Sequence, residues 1–126
     1  MRFTGLMIGS DDPQRLADYY GKVLGAQAFS DGGYTGFQVG EGWVTIGPHS
    51  EVHGRNGEPG RIMWNMESDD VRGDFDRMRD AGASVVREPY TPEGVPEDAG
   101  EMLVATFEDP DGNYFQLMSP MGDMST

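Results

Sequence analysis

Residues 10–25 read SDDPQRLADYYGKVLG, and residues 68–82 read SDDVRGDFDRMRDAG. Each stretch opens with the same Ser-Asp-Asp triplet, whose third residue, Asp12 or Asp70, is a favourable helix N-cap. Apolar residues then recur at helical spacing on one face, and a glycine ends each pattern. The sequence therefore predicts two amphipathic helices whose N-caps lie 58 positions apart.

A short strand pattern precedes each helix, and three more strand patterns follow it. The strands predicted for the first half are residues 3–9, 26–30, 34–39 and 42–46, and those for the second half are residues 61–67, 84–88, 102–107 and 113–118. The chain thus reads βαβββ twice. We expect a single α+β domain over residues 1–126, made of module 1 (about 1–49), a linker (about 50–60) and module 2 (about 61–119).

The composition narrows the classes of function. Nine basic and 22 acidic residues give a net charge of −13, which disfavours nucleic acids and anionic membrane surfaces as partners. The chain has no cysteine, so disulfides, thiolate metal sites and cysteine nucleophiles are excluded. We see neither a signal peptide nor an apolar run of membrane-spanning length, and we expect a cytoplasmic protein without a membrane partner.

Alternation along the strands divides each predicted sheet into two faces. One face carries only large apolar residues, suited to packing beneath the helices: Leu6, Ile8, Val44, Ile46, Trp64, Met66, Phe115 and Leu117. The opposite face mixes aromatic, thioether, small and hydrogen-bonding side chains, as ligand pockets do. A second hydrophobic core, for instance beneath a dimer contact, is the alternative interpretation of this mixed face.

Three motifs together resemble the vicinal oxygen chelate superfamily, which includes glyoxalase, extradiol dioxygenases, fosfomycin-modifying enzymes and bleomycin-resistance binding proteins. They are the two helical runs, residues 12–25 and 70–82, and the turn FEDPDGN at residues 107–113. The resemblance covers about residues 3–119. It implies two βαβββ modules whose curled mixed sheets form a cleft, usually within a homodimer.

The resemblance also implies where a metal would bind. Metal-dependent members place His, Glu or Gln at equivalent strand positions, which in this sequence are Gly5, Thr45, Met63 and Gln116. Glycine offers no donor, a thioether suits hard divalent ions poorly, and the other two side chains are neutral, weak donors. We therefore expect no metal ligand, no cofactor and no catalytic residue of the metal-dependent kind.

The leading interpretation is a metal-independent small-molecule-binding protein that is similar to the drug-sequestering resistance proteins of this superfamily. The ligand would be an antibiotic or aromatic natural product, planar in shape, and resistance would follow from sequestration. The candidate ligand-binding residues all come from the mixed face: Met7, Trp43, Thr45, Met63, Asn65, Tyr114, Gln116 and Met118.

Two other interpretations stay open at the level of the sequence. The first is a glyoxalase- or dioxygenase-like enzyme, a lyase or isomerase acting on a small oxygenated metabolite. It would use either Glu67 as a general base or an atypical metal site at His49 and His53, which flank Glu51 in HSEVH. The second is an interaction module with a vestigial cleft. Residues 90–100, rich in proline and acids, are predicted to form a loop that acts as a flap.

Overall fold

The computed structural model describes residues 1–96, 98 and 100–120. Module 1 contains β1 (Gly5–Gly9), α1 (Pro13–Leu24), β2 (Ala28–Asp31), β3 (Tyr34–Val39) and β4 (Gly42–Gly47). Module 2 contains β5 (Trp64–Glu67), α2 (Val71–Asp80), β6 (Ser84–Tyr90), β7 (Val104–Glu108) and β8 (Tyr114–Met118). The doubled βαβββ order and the α+β class are confirmed.

Each module forms its own mixed four-stranded sheet with the same topology. The strand order is β1-β4-β3-β2 in the first sheet and β5-β8-β7-β6 in the second. In both sheets the first strand runs parallel to the last, while the remaining pairs are antiparallel. β1 and β5 are consequently edge strands, each paired on one side only within the described chain.

The helix boundaries follow the capping signals of the sequence. The side chain of Asp12 accepts a hydrogen bond from the Arg15 amide at 3.2 Å, and that of Asp70 accepts one from the Gly73 amide at 3.0 Å. Gly25 ends α1 in the left-handed conformation, with φ at 64°, which costs glycine nothing. The repeated Ser-Asp-Asp triplet therefore starts both helices for the same physical reason.

Both helices and the inner faces of both sheets share one hydrophobic core. The Tyr20 side chain of α1 is fully buried and packs against Trp64 and Phe115 of module 2, with ring centroids 5.8 and 5.3 Å away. The predicted helix-side residues Ile46 and Leu117 belong to the same core. α1 thus packs against both modules, so neither module's core is complete without it.

Some strands begin later than the sequence pattern predicted. β5 begins at Trp64 rather than Arg61, because a turn closes just before it: the Arg61 amide donates to the Glu58 carbonyl at 3.1 Å. β7 begins at Val104 rather than Met102, since the Leu103 amide donates to the Ser119 hydroxyl oxygen instead of a ladder partner. The alternation of apolar residues in the sequence does not reveal these local hydrogen bonds.

The turn between β7 and β8, residues 109–113, holds a buried carboxylate that links the two modules. Asp109 is 3% exposed and accepts hydrogen bonds from the Tyr20 hydroxyl at 2.7 Å, the Asp111 amide at 2.9 Å and the Asn113 amide at 3.0 Å. Burial raises the pKa of Asp109, and these donors lower it in part. Burial, and next the charge of Asp109, raise the pKa of Tyr20 well above its ordinary value.

No helix within the described residues is long and apolar enough to cross a membrane.

We predict that Tyr20→Phe destabilises the protein by about 1–3 kcal/mol, because it removes a donor from a buried carboxylate. Urea unfolding measures the loss. Tyr19→Phe is the matched control: its hydroxyl donates to the Glu108 carbonyl at 3.1 Å from a half-buried position, so its removal costs less. Equal losses for the two variants would contradict the linking role of Asp109.

Candidate functional site

Two cavities open beside the edge strands β1 and β5. The first, here the apolar cavity, has a volume of about 470 Å³. Apart from the indole N–H groups of its two tryptophans, Asn65 supplies the one polar side chain among its described lining residues, which are Phe3, Gly5, Leu6, Val39, Gly42, Trp43, Val44, Ile62, Met63, Trp64, Asn65 and Met66. Its size and lining suit a small apolar ligand oriented by one amide group.

The second cavity, here the linker cavity, has a volume of about 450 Å³. One wall comes from β1 and from module 2, and the other wall is the segment between the modules. Its described lining residues are Leu6, Met7, Ile8, Gly9, residues 51–56, Ile62, Trp64, Asp111, Asn113 and Tyr114. The two cavities share Leu6, Ile62 and Trp64, so they adjoin one another.

The structure distributes the eight candidate ligand-binding residues over three places. Trp43, Met63 and Asn65 line the apolar cavity. Met7 and Tyr114 line the linker cavity. The remaining three line neither: Thr45, Gln116 and Met118. These three lie on β4 and β8, the strands that also carry Trp43 and Tyr114. Their role in binding stays a prediction.

Trp43 owes its position to a neighbouring glycine. The position of a Cβ on Gly36 would lie 3.5 Å from the Trp43 ring, so the indole lies over a strand position without a side chain. The ring of Phe29 meets it edge-on, with centroids 5.7 Å apart. Trp43 stays 38% exposed. An aromatic surface fixed by its neighbours and open to solvent is suited to stack on a planar ligand.

The linker is held in place by polar contacts with the turns around it. Arg55 forms an ion pair with Glu108 and donates to the Pro110 carbonyl at 3.2 Å. Asn56 donates from its backbone to the Asp111 carbonyl at 2.8 Å. Asp11 accepts a hydrogen bond from the Gly54 amide. Because these contacts hold residues 54–56 against the β7–β8 turn and Asp11, the segment can form a defined cavity wall.

The residues at the family's metal positions do not fit a divalent ion. A Cβ at Gly5 would clash with the Trp43 carbonyl oxygen and lie 2.8 Å from the Trp43 carbonyl carbon and amide nitrogen, so this position excludes any side chain. The Gln116 amide donates to the Thr106 hydroxyl at 3.0 Å, which ties its donor group within the sheet. Thr45 and the Met63 thioether are poor ligands for hard cations.

The residues on which the enzyme interpretation depends form neither a metal-binding arrangement nor an enclosed catalytic site. His49 Nδ1 accepts from the Glu51 amide at 3.1 Å, whereas His53 Nδ1 faces Asp11 at 3.5 Å. Over the described residues, no group of three or more His, Cys, Asp or Glu side chains is arranged to hold a metal ion. Glu67 is exposed at the end of β5.

Sequence reasoning missed the linker wall and Ile62, which is 80% exposed. It also assigned four residues to the helix-packing face alone although they line the apolar cavity: Leu6, Val44, Trp64 and Met66. The linker has no periodicity, so nothing in its pattern placed it against β1. The motif FEDPDGN was recognised as a turn but not as the anchor of Arg55 and Asn56. The predicted flap at residues 90–100 begins on the last residue of β6; its positions 97 and 99 lie outside the described residues, and the flap stays a prediction.

Comparison with protein-family models identifies the chain. Residues 2–117 match the model described as the Glyoxalase/Bleomycin resistance protein/Dioxygenase superfamily. The chain belongs to this superfamily, as the resemblance of its motifs implied. Among curated proteins, no sequence matches it.

Solved structures share the fold over nearly the whole chain. A glyoxalase/bleomycin resistance protein/dioxygenase family enzyme from Burkholderia phytofirmans PsJN is 19% identical, with 92% of this chain and 96% of that chain covered and a TM-score of 0.69. A glyoxalase-related enzyme from Fulvimarina pelagi is 17% identical, with coverages of 95% and 88% and a TM-score of 0.72. TioX from Micromonospora sp. ML1 is 17% identical, with coverages of 94% and 98% and a TM-score of 0.70. At these identities the likeness shows the fold alone.

We predict that Gly5→Ala lowers the free energy of unfolding by about 1–3 kcal/mol, because the added methyl overlaps the β4 backbone. Thermal and urea unfolding measure this loss. Gly57→Ala is the control, since its Cβ would meet no atom within 4 Å. If the two variants were equally stable, position 5 would have room for a side chain, and the argument against a ligand there would fail.

Proposed function

We propose that the protein binds a small molecule without a metal and confers resistance by sequestering an antibiotic or aromatic natural product. One observation carries the proposal. Gly5 and Met63 occupy two of the family's metal positions, yet both line a cavity with the exposed aromatic ring of Trp43. At the positions where relatives would bind a metal ion, this chain has no adequate metal-coordinating side chain. It has a large apolar surface there instead.

The apolar cavity supports a planar or aromatic ligand. Trp43 and Trp64 both line it, and Asn65 adds an amide that can donate and accept. Each aromatic pair contributes about 0.5–1.5 kcal/mol beyond the area it buries. Met63 has the flexibility to fit irregular ligand shapes. These groups bind and orient a ligand, and among the cavity's described lining residues none has an acid, a base or a nucleophile on its side chain.

The protein is further proposed to act as a homodimer in the cytoplasm. Large apolar side chains stay exposed beside the edge strands: Phe3 is 85% and Ile62 is 80% exposed. Both side chains also line the apolar cavity, so a second copy packed over their outer surface would remove it from water and would form the outer boundary of that cavity. The lack of cysteine supports a reducing compartment.

The binding proposal is tested by a thermal-shift screen against planar and glycosylated antibiotics, with product analysis of each hit. We predict that Trp43→Ala weakens the binding of a hit by about tenfold, measured by calorimetry, because a stacking surface is lost. Its effect on thermal stability should be small, since the ring is 38% exposed. Tyr34→Ala is the control: it removes a similarly exposed ring, 41%, that lines neither cavity.

Three outcomes would contradict the proposal. A loss of stability as large as the loss of binding in Trp43→Ala would indicate a second hydrophobic core. A tightly held transition metal near one per chain, removed by substituting His49 and His53, would indicate the atypical metal site. Conversion of a hit into product would indicate an enzyme.

For the dimer, we predict that sedimentation equilibrium gives twice the 13.8 kDa mass of the chain. Ile62→Glu should shift the protein towards the monomer, because burying a carboxylate in an apolar contact is unfavourable. Val86→Glu, at an exposed apolar position on β6, should leave the mass unchanged. A monomeric wild-type chain at micromolar concentration would contradict the dimer.

A further inference from the structure

We propose that the linker cavity is a subsite for an ammonium group, so that the ligand class is an aromatic amine that carries a positive charge. The inference rests on the proposed function, since one ligand is taken to span both cavities. Its aromatic part lies in the apolar cavity, and its charged group lies beside the linker.

The first observation is a buried carboxylate oxygen without a partner. The Asp111 side chain, which lines the linker cavity, is 9% exposed. Its Oδ1 accepts from the Arg15 guanidinium at 2.7 Å, whereas its Oδ2 is buried with no hydrogen-bond partner among the described residues. A buried acceptor of this kind is costly to leave unpaired. A ligand N–H in the cavity would supply the missing donor.

The second observation is the charge balance of the cavity wall. Glu51 lines the cavity, and within the described chain no cationic group lies within salt-bridge distance of its carboxylate. Carboxylates outnumber guanidinium groups on and around this wall, by four to two. The carboxylates are those of Asp11, Glu51, Glu108 and Asp111, and the guanidinium groups are those of Arg15 and Arg55. The whole chain adds a net charge of −13, which attracts cations over a longer range.

The basic groups that line the cavity are already engaged. Arg55 is neutralised by Glu108 and also donates to the Pro110 carbonyl. His53 faces Asp11, with Nδ1 3.5 Å from Oδ1. The Arg55 charge is therefore balanced by Glu108, whereas Glu51 has no cationic partner among the described residues.

Aromatic groups complete the subsite. Tyr114 and Trp64 line the cavity. One face of Trp64 is stacked on Phe115, with ring centroids 5.6 Å apart, and an aromatic ring face turned towards the ligand would attract a cation. Trp64 also lines the apolar cavity, together with Leu6 and Ile62. This shared wall gives a single ligand continuous apolar contact from one cavity to the other. An anionic ligand would meet Glu51 and the buried Asp111 oxygen unfavourably.

The test uses three planar tricyclic probes of the same size, with calorimetry near neutral pH. They are 9-(aminomethyl)anthracene, whose ammonium group is separate from the rings, 9-(hydroxymethyl)anthracene, which is neutral, and anthracene-9-carboxylate, which is anionic. The cation is expected to bind about tenfold more tightly than the neutral probe, since hydrogen bonds to charged groups are the stronger ones. The anion is expected to bind more weakly than either.

Four substitutions test which carboxylate produces the preference for the cationic probe. Glu51→Gln should weaken binding of the cation by about threefold and leave the neutral probe unchanged, because only a partly exposed ion pair is lost. Asp111→Asn should weaken binding of the cationic probe further. Arg15→Gln breaks the same ion pair but keeps the Asp111 carboxylate, so it should not weaken binding of this probe. Glu41→Gln removes an equal charge from the exposed β3–β4 turn, outside both cavities, and controls for long-range attraction.

The outcomes separate this inference from the proposed function. Equal binding of all three probes, lost in Trp43→Ala, would overturn the cation subsite and leave the binding function standing. Equal effects of Glu51→Gln and Glu41→Gln would likewise overturn it, since net charge alone would then explain the preference. If no probe binds, the inference fails together with the proposed binding of planar ligands.

Discussion

The hydrogen bond from the Tyr20 hydroxyl to the Asp109 carboxylate is the contact on which the arrangement of the two modules depends. It joins α1 of the first module to the β7–β8 turn of the second, inside a core that excludes water. The turn holds the carboxylate through its own amides. Because a buried carboxylate without donors is strongly unfavourable, helix and turn are stable only together. Two sheets whose described strands form no ladder with one another thereby pack as one unit.

The same turn positions the candidate site. Arg55 and Asn56 bind to its backbone and flanking carboxylate, which places the linker opposite β1. Asp111, next to the buried Asp109, reaches from this turn into the linker cavity. The stabilising network and the cavity wall therefore consist of adjacent residues. A change that loosened the turn would alter the shape of the site as well as the stability of the fold.

The fold was largely predictable from the sequence, because its signals are local. The N-caps at Asp12 and Asp70, the apolar helix faces and the alternating strands each report on neighbours a few residues away. The site was predictable only on the strands, where alternation assigned Trp43, Met63 and Asn65 to the mixed face. The linker wall was not predictable, because its contacts join residues far apart in the sequence. Arg55 binds Glu108, 53 residues later, and Asn56 binds Asn113, 57 residues later. Contacts of that range leave no periodic trace in the chain.

Gly5 links the packing of β1 against β4 to the shape of the apolar cavity. The β4 backbone lies so close to it that a side chain would require β1 to move away from β4. Gly5, Gly42 and Trp43 all line the apolar cavity, so that movement would change the cavity itself. A histidine or glutamate introduced at position 5 would therefore disrupt the pairing of β1 with β4 before its side chain could coordinate a metal ion. At Gly5 the close approach of β4 leaves no room for a metal-binding side chain, which agrees with the apolar ligand proposed above.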